Sequence, residues 1–135
     1  MDMIIIDEQS KEPIYRQIIE QVRHFVAIGT LAAGDELPSL RQLAVNLNVH
    51  LNTVALAYRE LERQGIIRLR QGSRATILAV DRTSLQVPPQ IQAQIRTQLE
   101  RIRTEAILAG MSLYELRTVA ATVFQDVEPD VVKEP

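Results

Sequence analysis

The residues best suited to chemistry in this chain are six arginines, which lie within residues 39–78 together with only two glutamates. This segment carries a net charge of +4, whereas residues 1–38 carry −4 and residues 79–135 carry −2. A local cluster of cations can attract and hold a polyanion even when the whole chain is slightly acidic. Because a guanidinium makes paired hydrogen bonds, arginine suits contact with phosphate or guanine. The segment is therefore predicted to bind nucleic acid.

Catalytic and metal-binding chemistry has little support in the sequence. The chain has no cysteine, and its two histidines, His24 and His50, fall on separate predicted helices. Two imidazoles without a third donor make a poor zinc site, and no Ser-His-Asp set, carboxylate pair or phosphate loop is present. We therefore expect no cofactor, no metal and no enzymatic activity. No apolar run approaches the ~20 residues of a membrane span, so we expect a soluble, cytoplasmic protein without a membrane partner.

Two short helices are predicted to position the polar side chains. Ser39 and Gln42 have the spacing of a capping box, which starts the first helix. The second helix follows a tight turn and is expected to run to Gln64, because Gly65 is a typical residue past a helix end. Apolar residues recur at steps of three and four on one face of each helix, namely Leu40, Leu43, Ala44 and Leu47, then Val54, Ala57, Tyr58 and Leu61. This pattern predicts a helix-turn-helix whose second helix enters a major groove.

A β-hairpin is predicted directly after this motif. Residues 66–70 and residues 75–80 have strand character, and Gln71-Gly72-Ser73 forms a turn between them. Arginines flank the turn, so the hairpin would be a wing that lies along a minor groove or the adjacent backbone. The predicted fold class is mainly α with a small β-hairpin: a winged helix-turn-helix domain, residues 1–79, followed by a helical hairpin.

The segment before the motif is expected to complete the core of this domain. Residues 13–28 form an amphipathic helix that Gly29 ends, and residues 3–6 are apolar enough for a short strand or a packed arm. Leu31 and Leu37 are expected to enter the core beneath a glycine-containing loop.

The last third of the chain reads as a linker, residues 80–88, a two-helix hairpin, residues 89–127, and a flexible acidic tail, residues 128–135. A short hairpin has too few partners to bury both of its apolar stripes. The stripes could pack on the winged domain, line an effector pocket or form a dimer seam, and we expect a seam with a second copy. The predicted dimerisation residues are Ile91, Ile95, Leu99, Ile102, Ala106, Leu113, Leu116, Ala120 and Val123.

Residues 13–78 resemble the GntR family of bacterial transcription regulators in the order and spacing of their motifs. The matching pieces are Pro13-Ile14-Tyr15, Gln17-Ile18, Gly29, Leu31, Gly34, Leu37-Pro38-Ser39, Arg41, Leu43-Ala44, Thr53-Val54, Ala57-Tyr58, Leu61, Gly65 and Gly72. The two-helix tail is similar to that of the small YtrA-like subfamily, in which it dimerises. The resemblance implies a sequence-specific DNA-binding transcription regulator, most often a repressor, that binds a pseudo-palindromic operator as a homodimer.

The resemblance also implies which side chains meet double-stranded DNA. Arg41 matches an arginine that often reaches a guanine, and Leu51, Asn52 and Thr53 match contact positions at the start of the recognition helix. With phosphate and wing contacts added, the predicted DNA-binding residues are Ser39, Arg41, His50, Leu51, Asn52, Thr53, Arg59, Arg63, Arg70, Gln71 and Gly72.

This chain departs from the family pattern at three positions. The family often has Ser or Thr in place of His50 and Arg or Pro in place of Leu51, and some members have a basic residue in place of Ala55. The operator therefore cannot be inherited from the family, and the alternative function is a winged-helix protein-interaction module that does not bind DNA. Whether a small-molecule effector exists is left open by the sequence.

Overall fold

The computed structural model describes residues 3–71, 74–78 and 87–125. Within these residues the elements, in chain order, are α1 (Ile14–Ala27), β1 (Glu36–Leu37), α2 (Leu40–Leu47), α3 (Leu51–Arg63), β2 (Ile67–Leu69), β3 (Ala75–Ile77), α4 (Pro89–Leu108) and α5 (Leu113–Gln125). Helix predominates and the strands form one small antiparallel sheet. The predicted fold class is confirmed.

The described residues belong to two compact units. The N-terminal unit contains α1 to α3 and the sheet, and the C-terminal unit contains α4 and α5. Most of the predicted linker, from residue 80 to residue 86, and the predicted tail, residues 128–135, lie outside the described residues. No helix among the described residues is long and apolar enough to span a membrane.

The core of the N-terminal unit is built from one face of each helix and from the sheet. The side chains that are almost completely buried are Ile18, Val22, Leu43, Val54, Tyr58, Leu61 and Ile67. Helix α3 packs against α1, α2 and β2, so it lies at the centre of the unit. Leu31 and Leu37 are buried as predicted. The apolar spacing of the sequence therefore identifies the buried face of all three helices correctly.

Residues 3–6 form a packed arm and not a strand. Ile4 is buried, and the backbone of Ile5 is held by the side chain of Gln21. The Ile5 N–H donates to Gln21 Oε1 at 2.9 Å, and Gln21 Nε2 donates to the Ile5 carbonyl at 2.6 Å. A glutamine amide thus supplies both hydrogen bonds that a neighbouring strand would make.

The sheet contains a strand that the sequence did not predict. In the order β1-β3-β2, Leu37 pairs with Ala75 and Leu69 also pairs with Ala75, so β3 is central. Strand β1 has only two residues, which is too short to show the alternation by which strands are recognised. The wing strands are also shorter than predicted, although the Leu78 N–H still donates to the Ile66 carbonyl at 2.9 Å. Residues 79 and 80 of the predicted second strand lie outside the described residues.

The C-terminal unit is a pair of helices joined by a tight turn. Gly110 has φ +95°, and Ser112 caps α5 by accepting the Glu115 N–H at 3.0 Å. The Ser112 hydroxyl also donates to the Glu115 carboxylate at 3.1 Å. No described residue of α4 or α5 is buried. Residues 126 and 127 of the predicted second helix lie outside the described part of the chain.

Candidate nucleic-acid interface

The capping box predicted at Ser39 forms and fixes the first residues of α2. The Ser39 hydroxyl accepts the Gln42 N–H at 3.1 Å, and Gln42 Oε1 accepts the Ser39 N–H at 3.1 Å. Arg41 lies in the first turn of α2 and is exposed. Within the described residues its guanidinium has no hydrogen-bond or ion-pair partner, so it is free to contact a ligand. Because Ser39 already accepts from Gln42, the hydroxyl of this predicted contact residue would act on DNA mainly as a donor.

The turn between α2 and α3 depends on a left-handed residue. Asn48 has φ 54° and ψ 50°, and it is the one non-glycine residue with positive φ in the described part of the chain. Asparagine tolerates this conformation better than most residues. The Val49 N–H then donates back to the Ala44 carbonyl at 3.0 Å, which closes the end of α2. The chain can therefore end α2 at Leu47, turn within three residues and start α3 at Leu51.

Within the described residues, no side chain caps the start of α3. His50 occupies the N-cap position in an extended conformation, and its imidazole makes no capping hydrogen bond. The His50 carbonyl accepts the Thr53 N–H at 3.1 Å. The first turn of α3 therefore presents backbone N–H groups and the positive end of the helix dipole, and it contains no acidic residue, which favours an approaching phosphate.

The outer face of α3 is a continuous polar and aliphatic stripe. Steps of four, three and four residues place its members on one side of the helix, away from the buried face. All of the members are exposed: Asn52, Leu56, Arg59 and Arg63. Leu51 is also exposed at the start of the helix, whereas Thr53 is half-buried beside the stripe. This stripe is the surface that a recognition helix would offer to a major groove.

Tyr58 fixes the position of α3 relative to α2. Its side chain is fully buried, as the sequence predicts, and its hydroxyl donates to the Pro38 carbonyl at 2.8 Å. Burial raises the pKa of Tyr58 well above its ordinary value, so the hydroxyl remains a neutral donor. The hydrogen bond ties the middle of α3 to the residue before the α2 cap, and it therefore helps to hold the α3 stripe and Arg41 in a defined relation.

Arg63 is less available than the sequence suggests. Its Nε donates to Glu60 Oε2 at 2.8 Å, and its Nη2 donates to the other carboxylate oxygen. Glu60 also accepts from Gln64 Nε2 at 3.0 Å, and Gln64 in turn accepts from Arg23 on α1. A phosphate would have to compete with Glu60 for Arg63 or use its remaining donors. By contrast, within the described residues the Nε of Arg59 makes only a long hydrogen bond, 3.3 Å, to the Ala55 carbonyl.

The base of the wing brings two arginines opposite each other. The Arg70 N–H donates to the Arg74 carbonyl at 2.8 Å, next to the paired residues Leu69 and Ala75. Both arginines are exposed, and Arg74 lies 3.9 Å from Glu36 of β1. Arg74 was not among the predicted contacts, although its place across the turn from Arg70 was a signal for it. Gln71 is exposed at the end of a described segment, and Gly72 lies outside the described residues.

The described residues contain no group of three His, Cys, Asp or Glu residues placed to hold a metal. His24 lies on α1, against Phe25, whereas His50 precedes α3.

The structure puts the predicted contact residues of α2, α3 and the wing base into one compact unit around α3.

Comparison with known proteins extends over both units. The family described as bacterial regulatory proteins, gntR family, matches residues 14–77. The HTH-type transcriptional repressor YtrA of Bacillus subtilis is 37% identical over 126 residues, which cover 93% of this chain and 95% of the relative. A solved structure described as a transcriptional antiterminator from Listeria monocytogenes has a TM-score of 0.73 and 31% identity, and the match covers 98% of each chain. YtrA from Sulfolobus acidocaldarius, described as a GntR-family transcription factor, has a TM-score of 0.58 and 33% identity, covering 76% of this chain and 98% of its own. This chain belongs to the GntR family of bacterial regulatory proteins.

Proposed function

We propose that this DNA-binding transcription regulator is a cytoplasmic repressor that binds a pseudo-palindromic operator as a homodimer and has no enzymatic role. The observation that carries the proposal is the exposed α3 stripe, which lies opposite a fully buried face, together with the exposed Arg41 in the first turn of α2. Repression is inferred from the likeness to the Bacillus subtilis repressor, which extends over nearly the whole of both chains.

The side chains around α3 divide into base readers and phosphate binders. Asn52 and Thr53 lie in the first turn of α3, the part of a recognition helix that meets base edges, and Arg41 approaches from the start of α2. Asparagine pairs well with adenine, and arginine pairs well with guanine. These three residues are therefore assigned to base contact.

Phosphates are assigned to residues at the edges of this surface. Arg59 follows the readers along the α3 stripe, and His50 lies beside the uncapped helix start. Arg63 can join them only if it shares its donors with Glu60. Arg70 and Gln71 lie at the wing, where backbone or minor-groove contact is expected. The remaining predicted contacts, Ser39, Leu51 and Gly72, keep their assignment to the DNA surface.

A homodimer is supported by the apolar surface of the C-terminal unit. The large apolar residues of the predicted seam are between 43% and 58% exposed: Ile91, Ile95, Leu99, Ile102, Leu113 and Val123. Ala106, Leu116 and Ala120 are half-buried. Val119 and Phe124, which the sequence analysis did not assign to the seam, widen the apolar face of α5. So much exposed apolar surface on two adjacent helices is typical of an interface.

A second copy fits this surface better than a small effector molecule. The cleft between α4 and α5 is open, and it is lined by apolar residues of the two helix stripes together with polar side chains that include Arg96, Glu100 and Arg117. The exposed apolar residues Ile91, Val119 and Val123 lie outside the lining of the cleft. A second copy can cover them together with the cleft, whereas a small molecule in a concave site would leave them in water. A two-fold dimer would present two α3 stripes to successive major grooves about 34 Å apart.

Selection of binding sites from a random duplex DNA pool tests the proposal most directly. The expected result is enrichment of an inverted repeat whose half-site centres are about one helical turn apart. A reporter gene placed behind the selected operator should then fall in expression when the protein is produced. Failure to enrich any sequence at low salt would contradict DNA binding and favour a protein-interaction module, whereas a rise in reporter expression would contradict repression.

A further inference from the structure

Two leucines on α3 are exposed although the fold does not need them there. Leu51 is 42% exposed and Leu56 is 47% exposed, whereas Val54, Tyr58 and Leu61 on the same helix are fully buried. Both leucines lie close to Asn52: Leu51 precedes it, and Leu56 follows one turn later on the outer stripe. An aliphatic side chain held in water at this place gains nothing from hydrogen bonding and contributes little to the core.

The chemistry of the major groove suggests what these leucines contact. Thymine presents a C5-methyl group there, which adenine, guanine and cytosine do not. A leucine against that methyl removes two apolar surfaces from water. Against the other bases it would cover hydrogen-bonding groups without replacing their partners, which costs free energy.

We propose that Leu51 and Leu56 are specificity-determining residues that read thymine methyl groups beside the base contacted by Asn52. The inference rests on the proposed DNA-binding function and adds to it the chemical class of the bases recognised. Asparagine favours adenine, and two leucines favour thymine, so each half-site contains a run of A·T pairs opposite the start of α3. The two leucines thus supply selectivity on a recognition helix whose residues 51 and 55 lack a hydrogen-bonding side chain.

Replacement of single thymines by deoxyuridine tests this proposal, because deoxyuridine lacks only the methyl group. The operator selected by the wild-type protein is resynthesised with one thymine changed at a time, symmetrically in both half-sites. Wild-type affinity should fall about fourfold for each contacted methyl, from about 0.8 kcal/mol per buried methyl-sized group, and therefore about 15-fold when both half-sites are changed. Thymines outside the leucine contacts should show no change.

The two leucine variants should each remove one part of this profile. With Leu51→Ala the penalty at one thymine should disappear, and with Leu56→Ala the penalty at a different thymine should disappear. Ile5→Ala is the matched control, because Ile5 is 73% exposed but lies on the N-terminal arm. Its deoxyuridine profile should equal that of the wild type. All three residues are exposed, so thermal unfolding should confirm that each variant is folded.

The possible failures are distinguishable. If the wild-type protein selects no operator, the proposed function fails before deoxyuridine is used. If the operator is bound but no deoxyuridine replacement lowers the affinity, the DNA-binding function stands and the proposed thymine contacts are wrong. The same conclusion follows if either leucine variant keeps every affinity loss that the wild type shows.

Discussion

At the scale of single residues, Arg41 is the cation with the strongest case for reading a base. It is exposed in the first turn of α2 and has no partner within the described residues. Arg41→Ala should weaken operator binding by ~1–3 kcal/mol and relax the preference at one base pair of each half-site. Titration of the operator and of single-base variants measures both effects. Arg101→Ala, which removes the same charge from exposed α4, should bind like the wild type, and equal losses in the two variants would contradict base reading by Arg41.

Glu60 is expected to restrain DNA binding because it holds Arg63 and adds a negative charge beside it. Glu60→Gln should free Arg63 for a phosphate, raise affinity for operator and random DNA alike, and steepen the slope of log affinity against log salt by ~0.9 for each subunit. Glu62→Gln is the control, since Glu62 instead accepts the Leu69 N–H at 2.8 Å. A slope change as large in Glu62→Gln would mean that only net charge matters. Adding Arg63→Ala to Glu60→Gln should remove the extra slope.

The pH dependence of the same pair follows from the pKa of Glu60. The hydrogen bond from Arg63, with a second from Gln64, lowers this pKa from 4.5 to about 2. A folded-state pKa below the ordinary value means that the pair contributes stability above pH 4.5 and loses it as the pH falls towards 2. NMR titration of the carboxyl group should show Arg63→Ala raising the pKa of Glu60 towards its ordinary value. An unchanged pKa in that variant would contradict the pair in solution.

At the scale of elements, the α2–α3 turn depends on the left-handed conformation of Asn48. Asn48→Val should destabilise the N-terminal unit by ~1–2 kcal/mol, because a β-branched residue is strained at positive φ. Asn48→Gly should be close to neutral, since glycine adopts this conformation freely. Thermal unfolding measures the difference, at roughly 4–8 °C per kcal/mol for a unit of this size. Asn46→Val is the control, because Asn46 is exposed within α2. An equal loss of stability in Asn46→Val and Asn48→Val would contradict a specific requirement for Asn48 in the turn.

The sequence predicts helix faces and helix ends correctly, because neighbouring residues of the same helix specify them. Apolar spacing identifies the buried faces of α1, α2 and α3, and the positive φ of Gly29, Gly65 and Gly110 explains the helix ends expected at those residues. Strand β1 was missed because its two residues are specified by pairing with β3 and not by their own pattern. The same limit applies to the candidate site. Sequence spacing places Arg63 on the outer face of α3, but only the structure shows that Glu60 holds it.

At the scale of the whole molecule, the two units differ in how they bury apolar residues. The N-terminal unit has a closed core around α3, whereas the described C-terminal unit has no buried residue. Two helices of this kind are too small to be stable by themselves in water. The proposed homodimer would therefore supply the missing half of the second core and, through it, the two-fold symmetry that a pseudo-palindromic operator requires.

Substitutions in the seam should prevent dimerisation without unfolding the N-terminal unit. Leu99→Asp or Ile102→Asp would place an unpaired carboxylate from each subunit in the seam, where burial of a charge without a partner is strongly unfavourable. Either variant should sediment as a monomer, while circular dichroism shows that the helices of the N-terminal unit remain. Operator affinity should fall by roughly 10²-fold or more, because the half-sites would no longer be bound by linked domains. Thr97→Asp is the matched control: Thr97 is exposed on α4 but lies two residues from Ile95 and from Leu99, on the other side of the helix. It should remain dimeric, and a dimer that also persists in both seam variants would contradict the proposed interface.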